Sequence, residues 1–167
     1  MSAIGDSARV NVLLADFALA DAINKLNVLG IGWAVTGIDP RTGATAPQSV
    51  VVMIDVPPDH YGASFTIGLQ LRDSAGGLVE LPGPAGQLQA LRVAQIARVE
   101  EPMMPPGLGV PRNTLWAHSQ VVFTLVNGLP LRGDEFYTWH VEIDGEERPT
   151  WATSFYVAAP PAAPVIG

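Results

Sequence analysis

The sequence predicts an all-β fold, a single antiparallel β-sandwich, and three observations carry that expectation. Apolar residues recur with a period of two. In ASFTIGLQLRD (63–73), Ala63, Phe65, Ile67, Leu69 and Leu71 fall on one face, with Ser64, Thr66, Gly68, Gln70 and Arg72 on the other. That alternation is what a half-buried strand requires. Such runs are short and are separated by Gly, Pro and Asp turns, as in sandwiches and barrels. Finally, 167 residues suit one domain that buries a core without staples, and the chain has no cysteine to form any.

Taken in order, Leu13, Ala15, Phe17 and Leu19 alternate with Leu14, Asp16 and Ala18. After the polar turn at 23–25, Leu29, Ile31, Trp33 and Val35 alternate with Gly30, Gly32 and Ala34, so the two runs read as an N-terminal hairpin. A loop (37–48) leads to the β-branched strand SVVVMIDV (49–56), stopped by Pro57 and Pro58. Past the period-two run at 63–72, DSAGG (73–77) is a turn into a brief strand at 78–81.

Segment 86–100 is ambiguous: Leu88, Leu91, Gln95 and Val99 have helical spacing, while the all-β context favours a strand through Leu91 and Val93. A long Pro/Gly-rich loop (101–114) precedes Val121, Phe123 and Leu125, which alternate as far as Asn127-Gly128. In the C-terminal hairpin, Tyr137, Trp139, Val141 and Ile143 share the core face with Trp151, Thr153, Phe155 and Val157. Asp144-Gly145 turns it, and the carboxylates, Glu142 among them, are expected at the turn and on the solvent face. Residues 1–157 form the domain and 158–167 an extended Pro/Ala-rich C-terminal tail.

Charge narrows the function classes. A net charge of −7, with Lys25 the only lysine, argues against nucleic acid and anionic membrane as partners. Asp6, Asp16 and Asp21 interrupt every early apolar run before it reaches secretion or membrane length. The expected location is the cytoplasm of the producing cell, with incorporation into a virion as the more specific expectation.

Catalytic motifs are weak. No Gly-x-Ser-x-Gly elbow occurs, and His60, His118 and His140 show no telling spacing to a serine. Gly30-Ile31-Gly32 and Gly107-Leu108-Gly109 lack the third glycine and the strand–helix context that cradle a pyrophosphate. No cofactor is expected. For a hard cation the best local candidates are Asp55 and Asp59, flanking a Pro-Pro corner ahead of His60 and Tyr61. Asp73, Asp134 or Asp144 would have to join from other loops, and such aspartates equally serve as turn formers. His140 and Glu142 form a second candidate pair on the solvent face of the hairpin.

The most attractive contact surface is the long loop, where Met103, Met104, Leu108, Val110 and Trp116 are more apolar than an exposed loop needs. Covering its own sandwich end is the alternative use. Val165 and Ile166 give the tail an apolar end for the same purpose.

LVNGLPLRGDEFYTWHVEIDGEERPTWATSFYV (125–157) resembles the C-terminal half of an uncharacterised family of small bacterial and phage β-sandwich proteins. That family shows Leu-Pro-Leu, then Gly-Glu-Tyr, then Val-x-Val-Asp-Gly before its final strand. LLADFALADAINKLNVLGIGW (13–33) and DHYGASFTIGLQLRDSAGG (59–77) are similar to its opening and middle hairpins. Asp134-Glu135-Phe136-Tyr137 stands where Gly-Glu-Tyr is expected, and the insert 101–118 and the tail have no counterpart. The resemblance implies an Ig- or C2-like sandwich and carries over no catalytic residue. The resulting expectation is a non-enzymatic structural module that self-associates or joins a larger assembly. Its most concrete form is a phage virion accessory protein, used for decoration or associated with the tail. The alternative is a ligand-binding module, for calcium or carbohydrate, at one end of the sandwich.

Overall fold

The structure, a computed structural model, describes residues 2–21, 25–83, 86–111 and 113–160. It is nearly all β. The strands are β1 (Arg9–Ala15), β2 (Phe17–Ala20), β3 (Leu26–Leu29), β4 (Val35–Asp39), β5 (Ala44–Thr45), β6 (Gln48–Val56) and β7 (Ser64–Arg72). They continue as β8 (Glu80–Pro82), β9 (Leu88–Ala90), β10 (Arg92–Arg98), β11 (Ala117–Leu125), β12 (Glu135–Ile143) and β13 (Glu146–Ala158). A short helix (Ala3–Ser7), capped by the Ser2 hydroxyl accepting from the Gly5 N–H, precedes them.

Two sheets share one core. The smaller has the order β1-β6-β11 and the larger β10-β7-β12-β13-β4-β5; β2-β3 and β8-β9 are separate hairpins. Val50, Val52, Ile54 and Val56 of β6 are sealed from solvent and belong to one apolar cluster with Phe65, Ile67, Leu69 and Leu71 of β7. Tyr137, Trp139, Val141 and Ile143 of β12 and Phe155 and Val157 of β13 complete it. The side of β6 that carries Ser49 and Val51 is buried as well, and β2 packs against β6 and β11. This double burial explains why 49–56 reads as a continuous apolar run rather than an alternation.

The C-terminal hairpin forms as its sequence predicts. Ile143 pairs with Glu146 across a two-residue turn in which Asp144 (φ 50°) and Gly145 (φ 82°) are both left-handed, the geometry that Asp-Gly favours. The Asp144 carboxylate accepts from the Thr66 N–H at 2.8 Å, and the Asp144 N–H donates back to the Thr66 carbonyl at 2.8 Å. The register slips between His140 and Glu142, opposite a stretch holding Pro149, which has no N–H to offer a ladder.

Several expectations are corrected. The N-terminal hairpin is confined to β2 and β3; Leu13 and Ala15 belong to β1, Val35 belongs to β4, and Ile23 and Asn24 of the expected turn at 23–25 lie outside the described residues. Phe17, Leu19 and Leu29 are exposed because the hairpin packs down through Ala18, and Ile31 and Val35, outside the hairpin, are exposed as well. Not every pairing is antiparallel: Tyr156 of β13 runs parallel to Val35 of β4, two segments joined through the whole domain rather than by a tight turn. Within segment 86–100 the strand reading favoured by the all-β context holds, as two strands, β9 and β10, and β11 begins at Ala117, its start hidden by the polar run His118-Ser119-Gln120. At the C-terminal end β13 includes Ala158, and the Ala159 N–H donates to the Asp134 carboxylate at 3.1 Å.

Candidate interaction surface

The loop between β10 and β11 is anchored at both ends. Val99 is fully buried, and its N–H donates to the Ala63 carbonyl at 2.8 Å. At the far end Trp116 is half-buried, with the Arg9 guanidinium 4.3 Å above its ring, and the Tyr61 hydroxyl donates to the Leu115 carbonyl. Between the anchors Pro102, Pro105, Pro106 and Pro111 remove backbone donors, so the chain cannot join a ladder.

Its apolar side chains are left largely outside. Met103 is 86% exposed and Leu108 60%, while Val110 and Leu115 are exposed to a lesser degree. Met104 is half-buried and lines, with Glu101, Pro102, Leu108 and Val110, a shallow hollow of about 490 Å³. The hollow thus gathers three of the five loop residues singled out from sequence, Met104, Leu108 and Val110; Met103 is exposed outside its lining and Trp116 sits apart at the anchor. Val165 and Ile166 lie outside the described residues.

The acidic corner is dispersed. Asp55 Oδ1 lies 2.7 Å from His118 Nδ1 across the β6–β11 pair. Asp59 is exposed on a single 3₁₀ turn (Pro58–His60), and His60 Nε2 lies 3.0 Å from the Ser7 hydroxyl. Asp73 accepts from the Ala75 and Gly77 N–H groups of its own turn, Asp134 from the Tyr156 hydroxyl, and Asp144 from Thr66. Among the described residues no three Asp, Glu or His side chains converge as a metal site would need.

A polar cluster that sequence reading missed lies on the outer face of the larger sheet. Glu142, expected in solvent, is 8% exposed and pairs with Arg92 at 2.5 Å. It tucks over Gly68, its cross-strand neighbour, where an added Cβ would stand 3.0 Å from the carboxylate. Glu147 accepts from both Gln70 and Arg72. His140 therefore has no exposed partner in Glu142; it faces Gln70 on β7 and Ala152 on β13. The pairing register reveals these neighbours, and the sequence alone does not supply it.

Burial holds the His140 pKa below its ordinary 6.5, the Arg72 charge adds to that, and Glu147 opposes it. A depressed folded-state pKa means that the unfolded chain binds the proton more readily. This contribution to stability is complete above pH 6.5 and is lost as the pH falls below it. His140→Gln should flatten that part of the profile. Urea midpoints of both proteins above and well below pH 6.5 check it, and an equal acid-side decline in both would assign the decline to other groups.

A scan against protein-family models matches no family, and a search of curated proteins finds no match.

Proposed function

We propose that the chain is a non-enzymatic structural module that assembles with copies of itself through the loop between β10 and β11. The most concrete setting is a phage virion, as a decoration or tail-associated protein, and that setting rests on the family resemblance. One observation carries the assembly reading. An anchored loop leaves Met103, Leu108, Val110 and Leu115 exposed within one stretch of chain, and Met104, Leu108 and Val110 line a hollow there. Methionine surfaces adapt to partners, and grouped exposed apolar side chains mark contact sites.

The two sheets are read here as an Ig- or C2-like sandwich. Tyr137 supports that type: near the start of β12, its hydroxyl accepts from the Arg132 N–H at 3.0 Å, like the tyrosine corners of Ig-type domains.

Met103→Asp combined with Met104→Asp places two charges in the surface. Sedimentation velocity should then show a species of lower mass than the parent, with the fold retained by circular dichroism because Met103 is exposed and Met104 only half-buried. An oligomer of undiminished mass would remove the loop from the contact.

A further inference from the structure

β10 is the outermost strand of the larger sheet, with β7 as its one neighbour among the described residues. In an antiparallel ladder, alternate residues turn their N–H and C=O groups to opposite sides. The Leu91 carbonyl accepts from the Leu71 N–H at 3.1 Å, and the Val99 N–H donates to the Ala63 carbonyl at 2.8 Å, so odd-numbered residues bond inward. The backbone groups of Arg92, Ala94, Ile96 and Arg98 therefore point away from the sheet.

Such an edge is a template for another strand unless charge or proline blunts it. Here arginines stand only at the two ends, and Ile96 at the centre is 78% exposed. The core-side face also overhangs: Val93 pairs with buried Leu69 yet is 44% exposed. A hollow of about 300 Å³ opens there between β10 and β11, lined by residues that include Gln95, Ile96, His118 and Gln120.

We propose that β10 pairs antiparallel with β10 of a second copy, about a two-fold axis through Ile96. Charge selects this register. An axis through Gln95 would set Arg92 opposite Arg98 of the other copy, a like-charge pair on one face. An axis through Ile96 sets Ala94 opposite Arg98 and Ile96 opposite itself, all in the outward-bonding set, and brings Arg92, already paired with Glu142, to face Glu100 just past the end of the strand. The two-fold doubles the Arg–Glu pair, as a self-complementary interface requires. One sheet then runs through both copies, and the overhang carrying Val93 gains a neighbour. This contact goes beyond the loop surface, uses different residues, and stands or falls separately from it.

The chain has no cysteine, so one introduced thiol reports the register. Directly opposed residues lie about 5.5 Å apart between Cα atoms, within disulfide reach, whereas the two copies of Ala94, four residues out of step, would be about 14 Å apart. Under mild oxidation Ile96→Cys should form a disulfide-linked dimer, Ala94→Cys and Arg98→Cys alone should not, and a mixture of those two should cross-link. Ile96→Pro removes an outward N–H and no β7-facing bond, so it should abolish the dimer while the fold persists by circular dichroism. The proposal is overturned if Ile96→Cys cross-links no faster than Ala94→Cys, or if folded Ile96→Pro keeps the parent mass. If the Met103/Met104 variant dissolves the oligomer while Ile96→Cys stays uncross-linked, the loop contact stands and the edge pairing falls.

Discussion

Replacing Trp139 with alanine should remove about 3–5 kcal/mol of stability. Trp139 is 1% exposed and sits on the central strand β12, opposite Leu71 on one side and Thr153 on the other. Both sheets pack around it, so the space left by the indole cannot collapse without moving strands. Domains of this kind have roughly 5–15 kcal/mol in total, so a large share is at stake. Trp139→Phe should cost much less. It keeps most of the ring volume and also removes the indole N–H, which is buried without a partner. Urea unfolding of the three proteins tests this, and equal midpoints for Trp139→Ala and the parent would mean that the side chain is not in the core.

A comparable loss, about 3 kcal/mol or more, is expected from Gly128→Ala. Gly128 has φ 65°, and a Cβ there would lie 1.9 Å from the Thr45 carbonyl oxygen, a backbone atom that cannot rotate away. Moving it would strain the cross-link beside it, in which the Thr45 N–H donates to the Leu129 carbonyl at 2.9 Å and the Leu129 N–H to the Thr45 hydroxyl at 3.0 Å. Gly32→Ala is the control. Its φ of 94° is also left-handed, but nothing lies within 4 Å of the added carbon, so only the dihedral cost of about 1–2 kcal/mol applies. Similar losses at the two positions would show that Thr45 does not crowd Gly128.

Local chemistry made parts of this fold legible in advance. Asp144-Gly145 specifies its own turn, and the alternation at 63–72 names the buried face of β7 without knowledge of its neighbours. Sequence reading failed where the outcome depended on what packs on the far side of a strand. Phe17, Leu19 and Leu29 have core-type side chains, yet their hairpin rests on β6 and β11 through Ala18. Glu142 looks like a solvent carboxylate until register sets it over Gly68 and within reach of Arg92. The loop at 101–114 stood out by composition because prolines among methionines fit neither a strand nor a solvated turn. The β10 edge was invisible for the opposite reason: a residue's outward-pointing N–H is a property of ladder parity and leaves no mark in composition.

Static light scattering on the unmodified chain across a concentration series tests self-assembly most directly. A discrete mass at an even multiple of 17.6 kDa, held over the series, is the expected result. A mass of 17.6 kDa at every concentration would contradict both the loop contact and the β10 pairing.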